Sequence, residues 1–426
     1  MSQVKKRRKL RKVKWKSVAV LAVACVLVVY LFASLVGMLF GDSSSDPNAF
    51  KVCKLSNSKL QKQLGGKPYE GTMAMQDFVF YGEGLTFYSD PYTLDSYNNF
   101  EGKTMALVNI CTGNEIEISK VDSSLDGQIN LGELPVGLYE VYVKENLLKK
   151  RVFTPERITA DNSIYTVTRN KSNNKVEILA NAALLNDKDS KENVLDKNYV
   201  FINVTKETLP KDVYDVVINP GPITVDNKVD VKVGELSSQQ EMYRLANKMK
   251  EGLEKEGLKV LISRSENEIL STYGTEGTLI KGYDGQAKYF ISLVMYNANS
   301  STKGMTITHS SYTSDVLAKE IYTAVVEGTS LDGKNQAYDV VSSTPIGLYD
   351  TDVEIREAGG RALAAATYSD RSKDNSFAAD LPGMNAISIE VFNANNAVDV
   401  ETWKLEFDKI ASQMTLGFLK YLGIKK

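Results

Sequence analysis

The 426-residue chain holds one histidine, three cysteines, two tryptophans and ten prolines. A single histidine, His309, excludes any site that needs two imidazoles, and it argues against nucleophilic schemes built on a histidine base. No Ser/His/Asp or Cys/His triad, no Walker loop and no G-x-G-x-x-G is present. Three cysteines are too few for a disulfide framework. Cys25 sits inside an apolar run, which leaves Cys53 and Cys111 either bridged or unpaired. Positive charge is also missing from most of the chain. Residues 1–16 hold nine Lys/Arg and no acid, so against a formal net charge of −2 the remainder carries −11. A nucleic-acid binder places its positive charge on the folded part. This chain does the reverse, and no nucleic-acid partner is expected.

What is present begins with residues 17–40, an uncharged and mostly apolar run. At about 1.5 Å per residue it spans a hydrocarbon core of about 30 Å. It is longer than the 7–15 apolar residues of a cleaved signal peptide, so a retained single-pass anchor is expected. The basic tail 1–16 then stays in the cytoplasm and the rest of the chain lies outside. Residues 41–73 read as a linker or stalk, starting with Gly-Asp-Ser-Ser-Ser-Asp-Pro-Asn.

Over 74–180 short apolar runs are separated by Asp, Gly and Asn turns, the pattern of an all-β sandwich-like domain. Within it, residues 126–143 (DGQINLGELPVGLYEVYV) resemble the transthyretin-like or collagen-adhesin-B-type sandwich modules of bacterial surface proteins. Residues 181–197 are rich in Asn, Asp and Lys and read as a linker. From 198 to 426 strands and helices alternate, which implies an α/β domain around a mostly parallel sheet flanked by helices. Strands are expected at Tyr199–Val204, Asp215–Ile218, Leu258–Ile262, Tyr289–Leu293, Met305–Thr308 and Ala386–Val391. Helices are expected at Ser238–Glu256, Ser314–Val326, Val353–Ala365 and Glu401–Leu422.

Six short landmarks occur in order in this half. They are Asn219-Pro220-Gly221-Pro222-Ile223 after a strand, Leu245-Ala246 in a helix, and Gly257 to Arg264 (GLKVLISR). Then come Ala287 to Leu293 (AKYFISL), the pair Gly304–Ile307 and Ser314–Ala318, and Glu390-Val391-Phe392 with Asn396 and Asp399. The set resembles the zinc-dependent N-acetylmuramoyl-L-alanine amidases, which cut peptidoglycan between muramic acid and the stem peptide. The resemblance implies their fold. It also implies a Zn²⁺ held by two His and one Glu, with water in the open position and a second Glu moving the proton.

The ligand slots are filled differently here. The first His slot is Pro222. The second falls on Val294 or Met295. The ligand Glu slot falls on Ser238 or Gln239, with Glu235 and Glu241 flanking it. Glu390 matches the proton-shuttling Glu. No metal ligand is therefore assigned, and zinc, the family's cofactor, is not expected to bind. The expected function is peptidoglycan binding, or regulation of cell-wall hydrolysis through an envelope partner. An active amidase with an atypical metal site is the alternative. Glu390 is the candidate for a catalytic role if there is one, and Asn297, Arg356 and Asn396 are candidate binding residues. Each also has a plain structural reading, as a solvated, capping or packing side chain.

Overall fold

The computed structural model describes residues 71–75, 77–88, 100, 103–118, 128–145, 148–154, 164–170, 172–179, 197–206, 211–222, 230–271, 276–310, 315–333, 340–343 and 384–425. The expected basic tail and anchor, the stalk up to residue 70, most of the linker at 181–197, the helix at Val353–Ala365 and residues 126–127 lie outside the described residues. Among the described residues no helix is long and apolar enough to cross a membrane.

The first part is built of strands: β1 (Thr72–Ala74), β2 (Asp77–Tyr81), β3 (Gly84–Tyr88), β4 (Thr104–Asn109), β5 (Glu115–Ile118), β6 (Gln128–Asn130), β7 (Gly137–Glu145), β8 (Leu148–Thr154), β9 (Ile164–Arg169), β10 (Asn174–Leu179), β11 (Asn198–Tyr199) and β12 (Phe201–Lys206). β7 is the spine. It pairs antiparallel with β4 along one edge, and along the other with β12 through its first half and β8 through its second. β2, β3 and β6 form a separate sheet. Phe78, Leu85, Phe87 and Ile129 of the small sheet share one buried cluster with Leu107, Tyr139, Val141, Val176 and Ile202 of the large one. The two sheets thus hide their apolar faces in a common core, the outcome that period-two alternation favours. β7 also buries its second face. There Glu140 and Arg151 form an ion pair at 2.9 Å with neither side chain exposed. The Tyr142 hydroxyl donates to Glu140 at 3.1 Å, and the Arg151 guanidinium lies 3.9 Å from the Tyr199 ring centre. These partners offset the cost of stripping water from two charges.

One expectation is corrected here. The sequence assigns the strand at Tyr199–Val204 to the α/β half from residue 198. It pairs instead with β10 on one side and β7 on the other. Its run of apolar residues suits either sheet, and only the cross-strand partners decide between them.

The second part contains β13 (Val216–Pro220), β14 (Lys232–Val233), β15 (Leu236–Ser237), α1 (Ser238–Lys255), β16 (Val260–Ile262), α2 (Thr278–Asp284), β17 (Tyr289–Tyr296), β18 (Thr306–Ser310), α3 (Val316–Gly328), β19 (Val340–Ser343), β20 (Asn385–Asn393) and α4 (Ala397–Tyr421). The sheet order is β16-β13-β17-β20-β18-β19. Every described neighbour pair is parallel except β18 with β20. This is the mostly parallel sheet expected from the alternation of elements.

α1 shows why the helices lie where they do. Met242, Leu245, Ala246, Met249 and Leu253 recur at helical spacing, and all are buried. The Ser237 hydroxyl caps the start by accepting from the Gln240 amide at 3.3 Å. Gly257, at φ +87°, carries the chain out of the end. Each large side chain sealed in this way contributes about 1.5–3 kcal/mol. α1, α3 and α4 cover one face of the sheet, where Leu245, Leu317 and Trp403 join Ile218, Ile291 and Ile389. α2 covers the other face near the start of the strands, with Leu279 and Tyr283 against Val217 and Phe290.

Candidate functional site

In a parallel sheet flanked by helices, ligand sites form at the carboxyl ends of the strands. Here that edge gathers the ends of β13, β17 and β20. Gly221 N–H donates to the Leu293 carbonyl at 2.8 Å, which sets the Gly221-Pro222 turn beside the last residues of β17. The peptide between Gly221 and Pro222 is cis.

Arg264 ties this turn to its surroundings. Its Nε donates to the Pro220 carbonyl at 2.8 Å, and Nη2 donates to the carbonyls of Gln239, at 2.7 Å, and Gly221. Nη1 reaches the carbonyls of Ser265 and Glu266 at 2.9 and 3.1 Å. Burial pushes the guanidinium down to about 10, against the opposing pull of Tyr243 and nearby carboxylates. It remains a cation at neutral pH, saturated by carbonyl oxygens. One side chain thereby joins the turn after β13 to the start of α1. Beneath it, Asn219 accepts from the Ser263 hydroxyl at 2.7 Å.

At the start of α1 the Asp230 carboxylate accepts from the Ser237 hydroxyl at 2.6 Å, the Ser238 hydroxyl at 2.9 Å and the Gln239 amide at 2.9 Å. Burial raises its pKa, but these hydrogen bonds outweigh burial and hold it below the usual carboxylate range. Of the flanking acids, Glu241 accepts from the Trp403 indole at 2.9 Å and so faces α4. Glu235 lies in the exposed β14–β15 turn.

Glu390 stands across from Val294 of β17 and Thr306 of β18. Its chain neighbours Ile389 and Val391 belong to the helix-covered core, as do Leu293 and Met295. Alternation therefore turns Glu390 and Val294 to the opposite face, together. Of Val294 and Met295, only Val294 shares a face with Glu390. His309 pairs with Ile387, a residue of the helix-covered core. The chain's one imidazole is thus on the other side of the sheet from Glu390.

The other candidates are distributed around this edge. Asn396 caps α4, accepting from the amides of Val398 at 3.0 Å and Asp399 at 3.1 Å, and its own amide donates to the Ser300 carbonyl at 2.8 Å. Asn297 is exposed and accepts from the Asn395 amide. Both build the rim, the loop between β17 and β18 stitched to the end of β20. Arg356 lies outside the described residues. Among the described residues no group of three or more His, Cys, Asp or Glu is placed to hold a metal ion.

Sequence reasoning missed the centre of this rim. Asn393 is fully buried. It accepts from the amides of Ala298 and Asn395, both at 3.1 Å, and donates to the carbonyls of Asn299 at 2.9 Å and Thr302 at 2.8 Å. Beside it the Asp399 carboxylate accepts from the amides of Gly304 at 2.8 Å and Asn393 at 2.9 Å. Burial raises the Asp399 pKa, and those two amides only partly counter it. The spacing Asn393, Asn396, Asp399 around a helix start was the available signal.

No protein-family model matches this sequence, and no curated protein matches it. Solved structures similar to it include N-acetylmuramoyl-L-alanine amidases. The catalytic domain of CwlV from Bacillus (Paenibacillus) polymyxa var. colistinus is 19% identical, with a TM-score of 0.37, over 50% of this chain and 100% of that one. AmiC2 of Nostoc punctiforme is 15% identical, TM-score 0.36, over 50% of this chain and 98% of its own. The amidase from Clostridium difficile 630 is 17% identical, TM-score 0.35, over 51% of this chain and 100% of its own.

Proposed function

We propose that this chain is an envelope protein whose C-terminal domain keeps an amidase-like scaffold without zinc chemistry, and that it binds peptidoglycan or regulates a partner hydrolase. In this reading residues 17–40 anchor it in the cytoplasmic membrane with the folded parts outside. The observation that carries it is the pairing of Glu390 with Val294 on a face from which His309 is turned away. A hydrolytic zinc site needs three nitrogen, sulfur or carboxylate donors around an open position. Pro222 and Val294 supply none. The Ser238 hydroxyl is engaged with Asp230. The residues present do not fit the metal, and no hydrolytic step is assigned to Glu390.

Two measurements on the purified chain test this: zinc content, and release of muropeptides from cell walls. The reading expects neither zinc at one per chain nor release, together with retention on insoluble cell wall or co-purification of an envelope protein. Stoichiometric zinc, with release abolished by Glu390→Gln, would replace it with the active-amidase reading. Absence of both cell-wall retention and a co-purifying partner would end the binding role.

A further inference from the structure

The turn between β2 and β3, Gly82-Glu83, belongs to the first domain, yet the Glu83 carboxylate is buried against the second. Glu83 is 7% exposed and its Oε1 lies 2.8 Å from Lys288 Nζ, itself 6% exposed. Lys288 immediately precedes β17, at the opposite end of the strand from the rim. Asp215, just before β13, stands farther from the same ammonium, at 3.7 Å. Its other oxygen accepts from the Lys259 amide at 2.8 Å. Glu83 is therefore the principal counter-charge for a lysine with almost no access to water.

The fit around this pair is close. Gly82 has φ +58°, and a Cβ there would stand 3.1 Å from both the Asn385 Cβ and the Lys288 carbonyl oxygen. A Cβ on Gly132 would meet Glu83 Oε2 at 2.3 Å. Two positions without side chains thus let the turn enter and let its carboxylate pass. The Glu83 carbonyl accepts from the Leu131 amide at 2.8 Å, so the turn is braced by its own domain.

We propose that this turn is a key that locks the two domains into one rigid unit, with Glu83 seating it in a socket formed by Lys288, Asp215 and Asn385. An ammonium and a carboxylate both removed from water are costly to part, because each is left buried without its partner. β17 has eight residues. At about 3.3 Å per residue the socket and the rim are roughly 26 Å apart. The first domain would then act as a fixed stand that presents the rim at its far end. The lock does not depend on what the rim binds.

The test uses the full chain in detergent, with a protease site inserted between residues 206 and 211. After cleavage the two pieces should stay together. Glu83→Gln or Lys288→Met should weaken their association on the order of 100-fold or more, the scale expected for breaking a buried pair. The double variant should recover part of the loss, because neither charge is then stranded. In the uncleaved chain, heat should unfold the wild type in one transition and Glu83→Gln in two, which reads the lock even if a cleaved variant precipitates. Separation of the wild-type pieces on cleavage would overturn the proposal. So would Glu83→Gln pieces as tightly bound as wild type, or two transitions in the unaltered chain.

Discussion

Val294 and Glu390 are cross-strand partners, and the register of their strands slips by one residue directly after them, so that Met295 pairs with Phe392. The slip lets Val391, Phe392 and Met295 all reach the helix-covered core. It leaves Val294 and Glu390 as the last pair before the slip. Building a donor set on this face should therefore start at Val294. The triple change Pro222→His, Gln239→Glu and Val294→His should take up about one zinc per chain, and Val294→His alone should not, since one imidazole and one carboxylate fall short of three ligands. Elemental analysis after dialysis against zinc reads both.

Asn393 has a different use, and its removal should be felt as stability. Asn393→Ala deletes four hydrogen bonds and leaves the carbonyls of Asn299 and Thr302 without that donor. At about 1 kcal/mol per bond, with incomplete recovery by water, a loss of about 3 kcal/mol is expected. A shift of the denaturant midpoint at unchanged slope checks it. Asn396→Ala should cost less, about 1 kcal/mol for a lost helix cap.

Asp399 should give a pH signature of unusual sign. Its pKa is raised in the folded chain, chiefly by burial, so folding favours the protonated carboxyl. That contribution is complete below the unfolded value of about 3.9 and is lost as pH rises through the folded value. Asp399→Asn stays neutral at every pH. The wild type should therefore gain stability relative to Asp399→Asn as pH falls from 7 towards 4. Paired unfolding curves that keep a constant gap over that range would remove burial as the cause.

Cys111 is disulfide-bonded, and with Cys25 inside the apolar run the expected partner is Cys53, which lies outside the described residues. Alkylation of the denatured, unreduced chain should then modify one thiol of the three, and alkylation after reduction all three. Intact mass reads the difference. The sequence left this bond open because spacing alone cannot pair two distant cysteines.

Much of the second domain was legible because its elements are long and periodic. Ser238–Glu256 was expected and Ser238–Lys255 is observed. Short elements escaped. α2 has seven residues and contains Gly282, too few to show a period. α4 begins at Ala397, four residues before the expected Glu401, and the exposed Val398 hid that start by breaking the apolar pattern. The Asn396 cap was the better marker. That Val294 and not Met295 shares a face with Glu390 needed the register, since a one-residue slip reverses every side chain. The roles of Asn393 and Arg264 depend on carbonyls brought in from distant loops, which no local pattern records.

The placement of His309 carries one more consequence. Imidazole is the ordinary side chain that changes charge between about pH 5 and 8, and the chain has a single one. It lies buried in β18 on the side packed by helices. Acidification of the surrounding medium across that interval therefore has no imidazole beside Glu390 to act on, and a change of charge on that edge falls to carboxylates such as Asp399.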